Sequence, residues 1–296
     1  MRLRQIEIFN AVYQTGSISE AARGLNVAQP TVSKILKHTE DGLGFLLFRR
    51  VRGRLVATSE ANILFKETIP IYNQIAKLKS TAENLKNPED GKIRIVSVAA
   101  LSIEILPKLI QRYREKHPAS QFIYQTEHFN NMMSTLREYD KELGFALNPP
   151  AEEGLRELTI AESELVCIYG KGEFDDYPDR LSLSDLVGYD YVSIEASGPM
   201  SDILDHRLNE EGISYSSKLI AQTYFVARSM VALGSGIAVV DKFTATSQKP
   251  ENISYKGFNP PLKFSVKALH LADRPLSRAS EKFLDFVKNN FSDNYP

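Results

Sequence analysis

The sequence predicts an α+β multidomain chain: an N-terminal winged helix-turn-helix, a long linker helix and a two-lobed α/β body. Three features carry that reading. The stretch GSISEAARGLNVAQPTVSKILKHTE, residues 16–40, packs two short amphipathic patterns around a three-residue break. Residues 58–87 hold one long helical pattern, and from residue 91 onward strand-like and helix-like patterns alternate. With 296 residues, 43% of them hydrophobic and 25% charged, the chain is long enough for two or three separate cores.

Ser17, followed three positions later by Glu20, is a capping-box pattern, so a helix is expected to begin there and to turn Ala21, Ala22 and Leu25 to one face. After NVA the pattern restarts at Gln29, with Pro30 in a first-turn position where its missing N–H costs nothing. Val32, Ile35 and Leu36 then face inward, which leaves Gln29, Thr31, Ser33, Lys34 and Lys37 facing outward. Amide, hydroxyl and ammonium groups on one helix face suit base edges and phosphates. Ser17, Ser19 and Pro30, at the two helix starts, complete the expected DNA-facing set on the helices. A further helix over residues 2–14 precedes the pair. LGFLLFRRVRGRLVAT follows it as an apolar corner, a strand, a turn at Gly53 and a second strand. Arg50, Arg52 and Arg54, with Arg49, cluster at the tip of this wing, where they suit phosphates or the minor groove. Charge agrees, because residues 1–58 hold nine basic against four acidic side chains while the whole chain nets −1. A basic module for double-stranded DNA on an acidic body is the reading.

Thr58 is placed to cap the long helix, in which Ile71, Ile75, Leu78, Ala82 and Leu85 recur at alternating steps of four and three. That spacing is a coiled-coil seam and predicts self-association. Pro70 inside it predicts a kink or a division. Beyond Gly91, KIRIVSVA, QFIYQTE, LGFALN, ELVCIYG, YDYVSIE, SKLIAQT and IAVVD read as strands separated by helical patterns, the alternation that gives parallel sheets. ISYKGF and FSVKALHLA read as two final strands before a last helix. The expected boundaries are a DNA-binding domain over 1–58, a linker helix over 59–87 and an effector-binding domain over 88–296. Within the latter, lobe I takes 91–162 and 267–296, and lobe II takes 163–266.

Small molecules bind open α/β sheets beyond the carboxyl ends of strands, where helix N-termini offer N–H groups. The strand exits therefore supply the candidate ligand-binding residues: Ala100, Leu101 and Ser102; Thr126, Glu127 and His128; Ser193, Glu195 and Ser197; Gln222, Thr223 and Tyr224; and Asp241. Hydroxyls and helix ends suit a carboxylate, and a Glu or Asp among them suits an ammonium. The preferred effector is therefore amino-acid-like, such as aspartate, lysine or diaminopimelate, or an opine. The alternatives are a non-amino-acid carboxylate and a ligand-independent architectural protein.

Other classes fit poorly. The five histidines show no paired metal-ligand spacing, and no nucleophile elbow or phosphate loop is present, so neither catalysis, a cofactor nor a metal is expected. GSG at 234–236 begins like a dinucleotide fingerprint, but Val239 stands where its third glycine belongs. Cys167, the sole cysteine, lies in an apolar strand pattern and reads as a core thiol. MRLRQIEIFNAVYQTG lacks the apolar core of a signal peptide, and no run approaches a membrane span of about 18 residues, so a cytoplasmic protein is expected.

The segment LRQIEIFNAVYQTGSISEAARGLNVAQPTVSKILKHTEDGLGFLLFRRVRGRL resembles the N-terminal winged helix-turn-helix of the LysR-type transcriptional regulators almost position for position. Ala28 stands where that family more often has serine. FRRVRGRL and IAVVDKFTA look most like the branch of the lysine-biosynthesis and opine-responsive regulators. The resemblance covers essentially the whole chain. It implies a periplasmic-binding-protein-like regulatory domain with an effector cleft, dimerisation through the linker helix, a tetramer of two dimers, an operator of paired half-sites and contact with RNA polymerase.

Overall fold

The computed structural model describes residues 1–51, 54–86, 91–137, 141–194, 198–215, 217–248 and 251–292. The chain divides into two compact units, Met1–Leu78 and Lys79–Pro296, and the division falls inside the linker helix. Among the described residues no helix is long and apolar enough to cross a membrane.

In the small unit, α1 (Leu3–Thr15), α2 (Ile18–Gly24) and α3 (Gln29–Leu43) precede a hairpin of β1 (Phe48–Val51) and β2 (Arg54–Ala57), and α4 (Ser59–Lys86) follows. Ser17 caps α2 as its spacing predicts, its Oγ accepting the Glu20 N–H at 3.3 Å. Ile8, Phe9, Val12, Ala21, Ala22, Val32, Leu36 and Leu47 close one core. The helical period thus puts Val32 and Leu36 of α3 inside, one turn apart. The strands pair antiparallel from Phe48 opposite Ala57 to Val51 opposite Arg54. Arg52 and Gly53 lie outside the described residues. Thr58 Oγ1 accepts the Ala61 N–H at 3.2 Å and donates to the Leu46 carbonyl at 2.8 Å, joining hairpin to α4. The start of α4 is held to α1 by the stacked rings of Tyr13 and Phe65, 3.9 Å between centroids, and by a buried Thr68–Asn10 hydrogen bond of 3.0 Å. Pro70 does not divide α4. Pro70 and Lys66 are both exposed, so the carbonyl one turn back that loses its donor is at the water side of the helix.

The large unit runs β3 (Lys92–Ser97), α5 (Ala99–Ser102), α6 (Ile105–Lys116), β4 (Gln121–Thr126), α7 (Phe129–Arg137), β5 (Leu143–Leu147), β6 (Leu155–Gly170), β7 (Arg180–Leu181) and β8 (Val192–Ile194). It continues through α8 (Pro199–Glu211), β9 (Leu219–Ala221), α9 (Tyr224–Ala232), β10 (Ala238–Asp241), α10 (Lys242–Thr246), β11 (Ile253–Leu271) and α11 (Arg278–Asn290). The main sheet has the order β10-β6-β11-β5-β3-β4, with β7 beside β11, while β8 and β9 pair separately. The expected parallel pairing is found between β3 and both β4 and β5 and between β8 and β9, but β10 pairs with β6 antiparallel.

The two longest strands depart from that expectation. β6 and β11 are antiparallel over most of their length, from Ile253 opposite Gly170 to Leu271 opposite Leu155. ISYKGF and FSVKALHLA are one strand, with a register shift between Gly257 and Leu262 where NPP interrupts the ladder. Ala161 pairs with Val266, and a second register shift follows between Val266 and Lys267. Ile93, Ile95, Leu143, Phe145, Val266 and Phe283 are buried in the main core. Cys167 lies there too, fully buried in β6, and burial holds its thiol protonated.

Candidate functional site

The outward face of α3 follows from its inward one. With Val32, Leu36 and Thr39 buried, Gln29, Pro30, Thr31, Ser33, Lys34 and Lys37 are all exposed, as is Ser19 beside them. Ser17 is half-buried and its hydroxyl is engaged in the cap. Arg50 is exposed on the wing, Arg54 pairs with Val51 in the ladder, and Arg49, opposite Val56, is exposed as well. One residue not singled out from the sequence fixes this geometry. Glu40, in the last turn of α3, accepts the backbone N–H groups of Leu47 at 2.7 Å and Phe48 at 3.2 Å. A carboxylate acceptor makes these bonds stronger than neutral ones, so Glu40 ties the end of α3 to the start of the wing. No local pattern announces it, because its partners lie beyond the helix end.

In the large unit, a cavity of about 230 Å³ opens where the carboxyl ends of β3, β4, β5 and β9 meet the starts of α5, α7, α8 and α9. Ala100, Thr126, Glu127, His128, Gln222, Thr223 and Tyr224 line it, as strand exits predict. So do Val98, Ala99, Phe129, Asn131, Leu147, Pro199, Met200 and Phe225, which sequence reasoning missed. Most of these are apolar residues indistinguishable by pattern from core. The lining holds one carboxylate, Glu127, whose Oε1 accepts from Gln125 Nε2 at 2.6 Å, and no Lys or Arg. An anion entering here meets helix starts instead, although at α7 the Asn131 N–H already donates to the His128 carbonyl at 2.9 Å and at α9 the Val226 N–H to Thr223 Oγ1 at 3.3 Å. Gly198 leads into α8 at φ +74°, and a Cβ there would stand 3.3 Å from Phe129 Cβ, so a side chain would crowd the cavity wall.

Four expected ligand residues fall elsewhere. Leu101 is fully buried, and Ser102 is buried in a chain of hydroxyls in which Ser97 Oγ lies 2.7 Å from both Ser102 Oγ and Tyr124 OH. These residues stiffen the turn behind Ala99 and Ala100 without lining the cavity. Ser193 lines a different cavity, under α8. Asp241 is turned inward rather than placed at a rim. It caps α10, with Oδ1 accepting the Thr244 N–H at 2.8 Å and Oδ2 the Thr244 hydroxyl at 2.7 Å. Complete burial pushes its carboxyl up to about 6, against the opposing pull of those hydrogen bonds. The Asp-x-x-Thr spacing in DKFT was the available signal for a cap. Glu195 and Ser197 lie outside the described residues. GSG follows α9 with Gly234 and Gly236 both at positive φ, a turn into β10 as the missing third glycine implies.

The two units correspond to two family profiles. Residues 3–62 match "Bacterial regulatory helix-turn-helix protein, lysR family", and residues 86–292 match "LysR substrate binding domain". The HTH-type transcriptional regulator DgcR of a Pseudoalteromonas species is 43% identical over 98% of this chain and 99% of its own length. The HTH-type transcriptional regulator AdmX of Serratia plymuthica is 30% identical over 97% of this chain and 91% of its own. A crystal structure of full-length CbnR complexed with its target DNA has the same fold, at a TM-score of 0.73 and 17% identity over 98% of this chain and 99% of that one.

Proposed function

The chain belongs to the LysR family of transcriptional regulators, a DNA-binding helix-turn-helix joined to an effector-binding domain, and from that premise we propose that its effector is a small carboxylate of the amino-acid class. The observation that carries this is the composition of the 230 Å³ cavity. The starts of α7, α8 and α9 supply positive ends for a carboxylate, Glu127 supplies the partner for an ammonium, and Phe129, Leu147, Met200 and Phe225 leave an apolar space between. Aspartate, lysine, diaminopimelate and opines have that layout. The narrower placement beside the lysine-biosynthesis and opine-responsive regulators rests on FRRVRGRL and IAVVDKFTA alone.

On DNA, Gln29, Thr31, Ser33 and Lys34 select the base sequence, while Lys37, Arg50, Arg52 and Arg54 set affinity through phosphates. Two such units read paired half-sites of an operator, and the bound dimer pair meets RNA polymerase. Self-association through α4 is supported by its seam, on which Ile71 is 39% and Leu78 71% exposed within a single chain.

A thermal-shift screen of the full chain against amino acids of both hands, with opines and diaminopimelate, tests the effector class. A ligand at about 100 times its Kd adds roughly 2.7 kcal/mol, which moves a midpoint by several degrees. No shift with any of them removes the amino-acid reading and leaves the DNA-binding function untouched.

A further inference from the structure

A second cavity in the large unit, of about 650 Å³, lies under α8 against β8 and β9. Its chemistry differs from that of the first. Tyr191, Tyr215 and Tyr224 line it, and Asp205 is the only charged residue among those that do. Asp205 forms no ion pair among the described residues, and partial desolvation, then neighbouring Asp202, raises its carboxyl. Tyr215 is satisfied, donating to the Leu183 carbonyl at 2.9 Å while its ring stacks on Tyr191 at 5.0 Å. Tyr191 is not. It is only 9% exposed, yet its hydroxyl has no hydrogen-bond partner among the described residues. The hydroxyl itself is not enclosed, so water or a ligand in the cavity can reach it.

We propose that this cavity is a second ligand site, taking a small organic ammonium compound. Electron-rich ring faces beside one carboxylate, with no competing cation in the lining, are the arrangement that recognises alkylated ammonium groups. An N–H of such a ligand would donate to the Tyr191 oxygen, and Asp205 would balance its charge. Anions are excluded by the same Asp205. The volume lies within the range of small-molecule sites. Met200 and Tyr224 line this cavity and the effector cavity alike, so an occupant here touches the wall of the other. Met200, unbranched and adaptable, is the side chain on which one occupant would be felt by the other.

Titration calorimetry on the full-length protein with butylammonium, tetramethylammonium and butyrate tests the site. Both cations are expected to bind saturably and butyrate not at all. Asp205→Asn should weaken both cations by roughly tenfold or more. Tyr191→Phe should weaken butylammonium, which has N–H donors, while leaving tetramethylammonium, which has none, within about twofold. Asp205 is exposed and Tyr191→Phe keeps the ring, so both variants should hold the thermal midpoint of the parent without ligand. Binding that survives both substitutions, or no binding of either cation, overturns the proposal. Equal loss of both cations in Tyr191→Phe would overturn the role assigned to the hydroxyl.

Discussion

The small and large units offer their proposed recognition surfaces in opposite geometries. On α3 the proposed DNA-reading groups stand on an outer surface, and their positions follow from a helix whose other face is core: once Val32 and Leu36 are inside, Gln29, Thr31, Ser33 and Lys34 are outside. In the large unit the proposed effector surface is concave and belongs to no single element. Val98 and Leu147 meet because β3 and β5 are neighbours in the main sheet, and Asn131, Met200 and Phe225 join them from α7, α8 and α9, elements far apart in sequence. The first kind of site is written in a local period. The second is written in topology, so its residues carry no pattern of their own.

The sharpest way to break this comparison is to destroy one unit and ask whether the other notices. Val32 is fully buried in the small core, and Val32→Asp would place a carboxylate there without a partner. Several kcal/mol of destabilisation is expected, of the order that unfolds a domain of this size. Gel shifts should then show operator affinity falling more than a hundredfold. Calorimetry should show the transition of the large unit, and its response to ligand, moving by less than about a degree. Loss of both transitions together would mean that the two units unfold as one, and that the contrast drawn above is one of geometry only.

Legibility followed the same divide. The helix pair, its Ser17 cap, the wing and the start of α4 at Thr58 were all readable from the sequence, because each is set by residues within a few positions of one another. So was most of the order of strands and helices after Gly91, apart from β7, α10 and the joining of the last two expected strands into β11. The direction of β6 and β11 was not, since a strand's own alternation says nothing about its neighbour's direction, and PP between Gly257 and Leu262 reads as a break when it is only a register shift. At the strand exits, the rule that ligands sit beyond strand ends pointed to Thr126, Glu127, His128, Gln222, Thr223 and Tyr224, and all six line one cavity. Asp241 obeys the same rule in sequence and fails it in space. Its helix begins at once, and its carboxylate is drawn back onto Thr244.

That residue supplies the second prediction. A buried carboxyl raised to about 6 binds a proton in the folded state at pH values where the unfolded chain, at its ordinary value of 3.8, has released it. Its contribution is therefore fully present below about pH 4 and is lost as pH rises through about 6, a change on the order of 3 kcal/mol. Asp241→Asn keeps an oxygen for the Thr244 N–H and removes the titration. The stability difference between variant and parent should move in the variant's favour between pH 4 and pH 6 and stay flat above. A difference that is constant across that range would mean the hydrogen bonds from Thr244 outweigh burial. Asp241 would then be an ordinary ionised cap.

The smallest effect sharpens the comparison most directly, because the two units contain the same device. Ser17 caps α2 by accepting from Glu20 N at 3.3 Å, and Thr223 caps α9 by accepting from Val226 N at the same 3.3 Å. Replacing either by Ala should cost its own unit about 1 kcal/mol, and exchanging Ser for Thr or Thr for Ser should restore most of it. The functional consequences should differ. Ser17→Ala leaves the outer face of α3 unchanged, so DNA affinity should fall only as far as the lost stability leaves the unit unfolded. Thr223 also lines the effector cavity, and Thr223→Ala both frees the start of α9 and removes a hydroxyl from the wall. Ligand affinity should therefore fall several-fold more than stability accounts for, with Thr223→Ser close to the parent. If the two alanine variants lost function only in proportion to stability, Thr223 would be a cap and nothing more, and the polar side of the cavity would reduce to Thr126, Glu127, His128, Asn131 and Gln222.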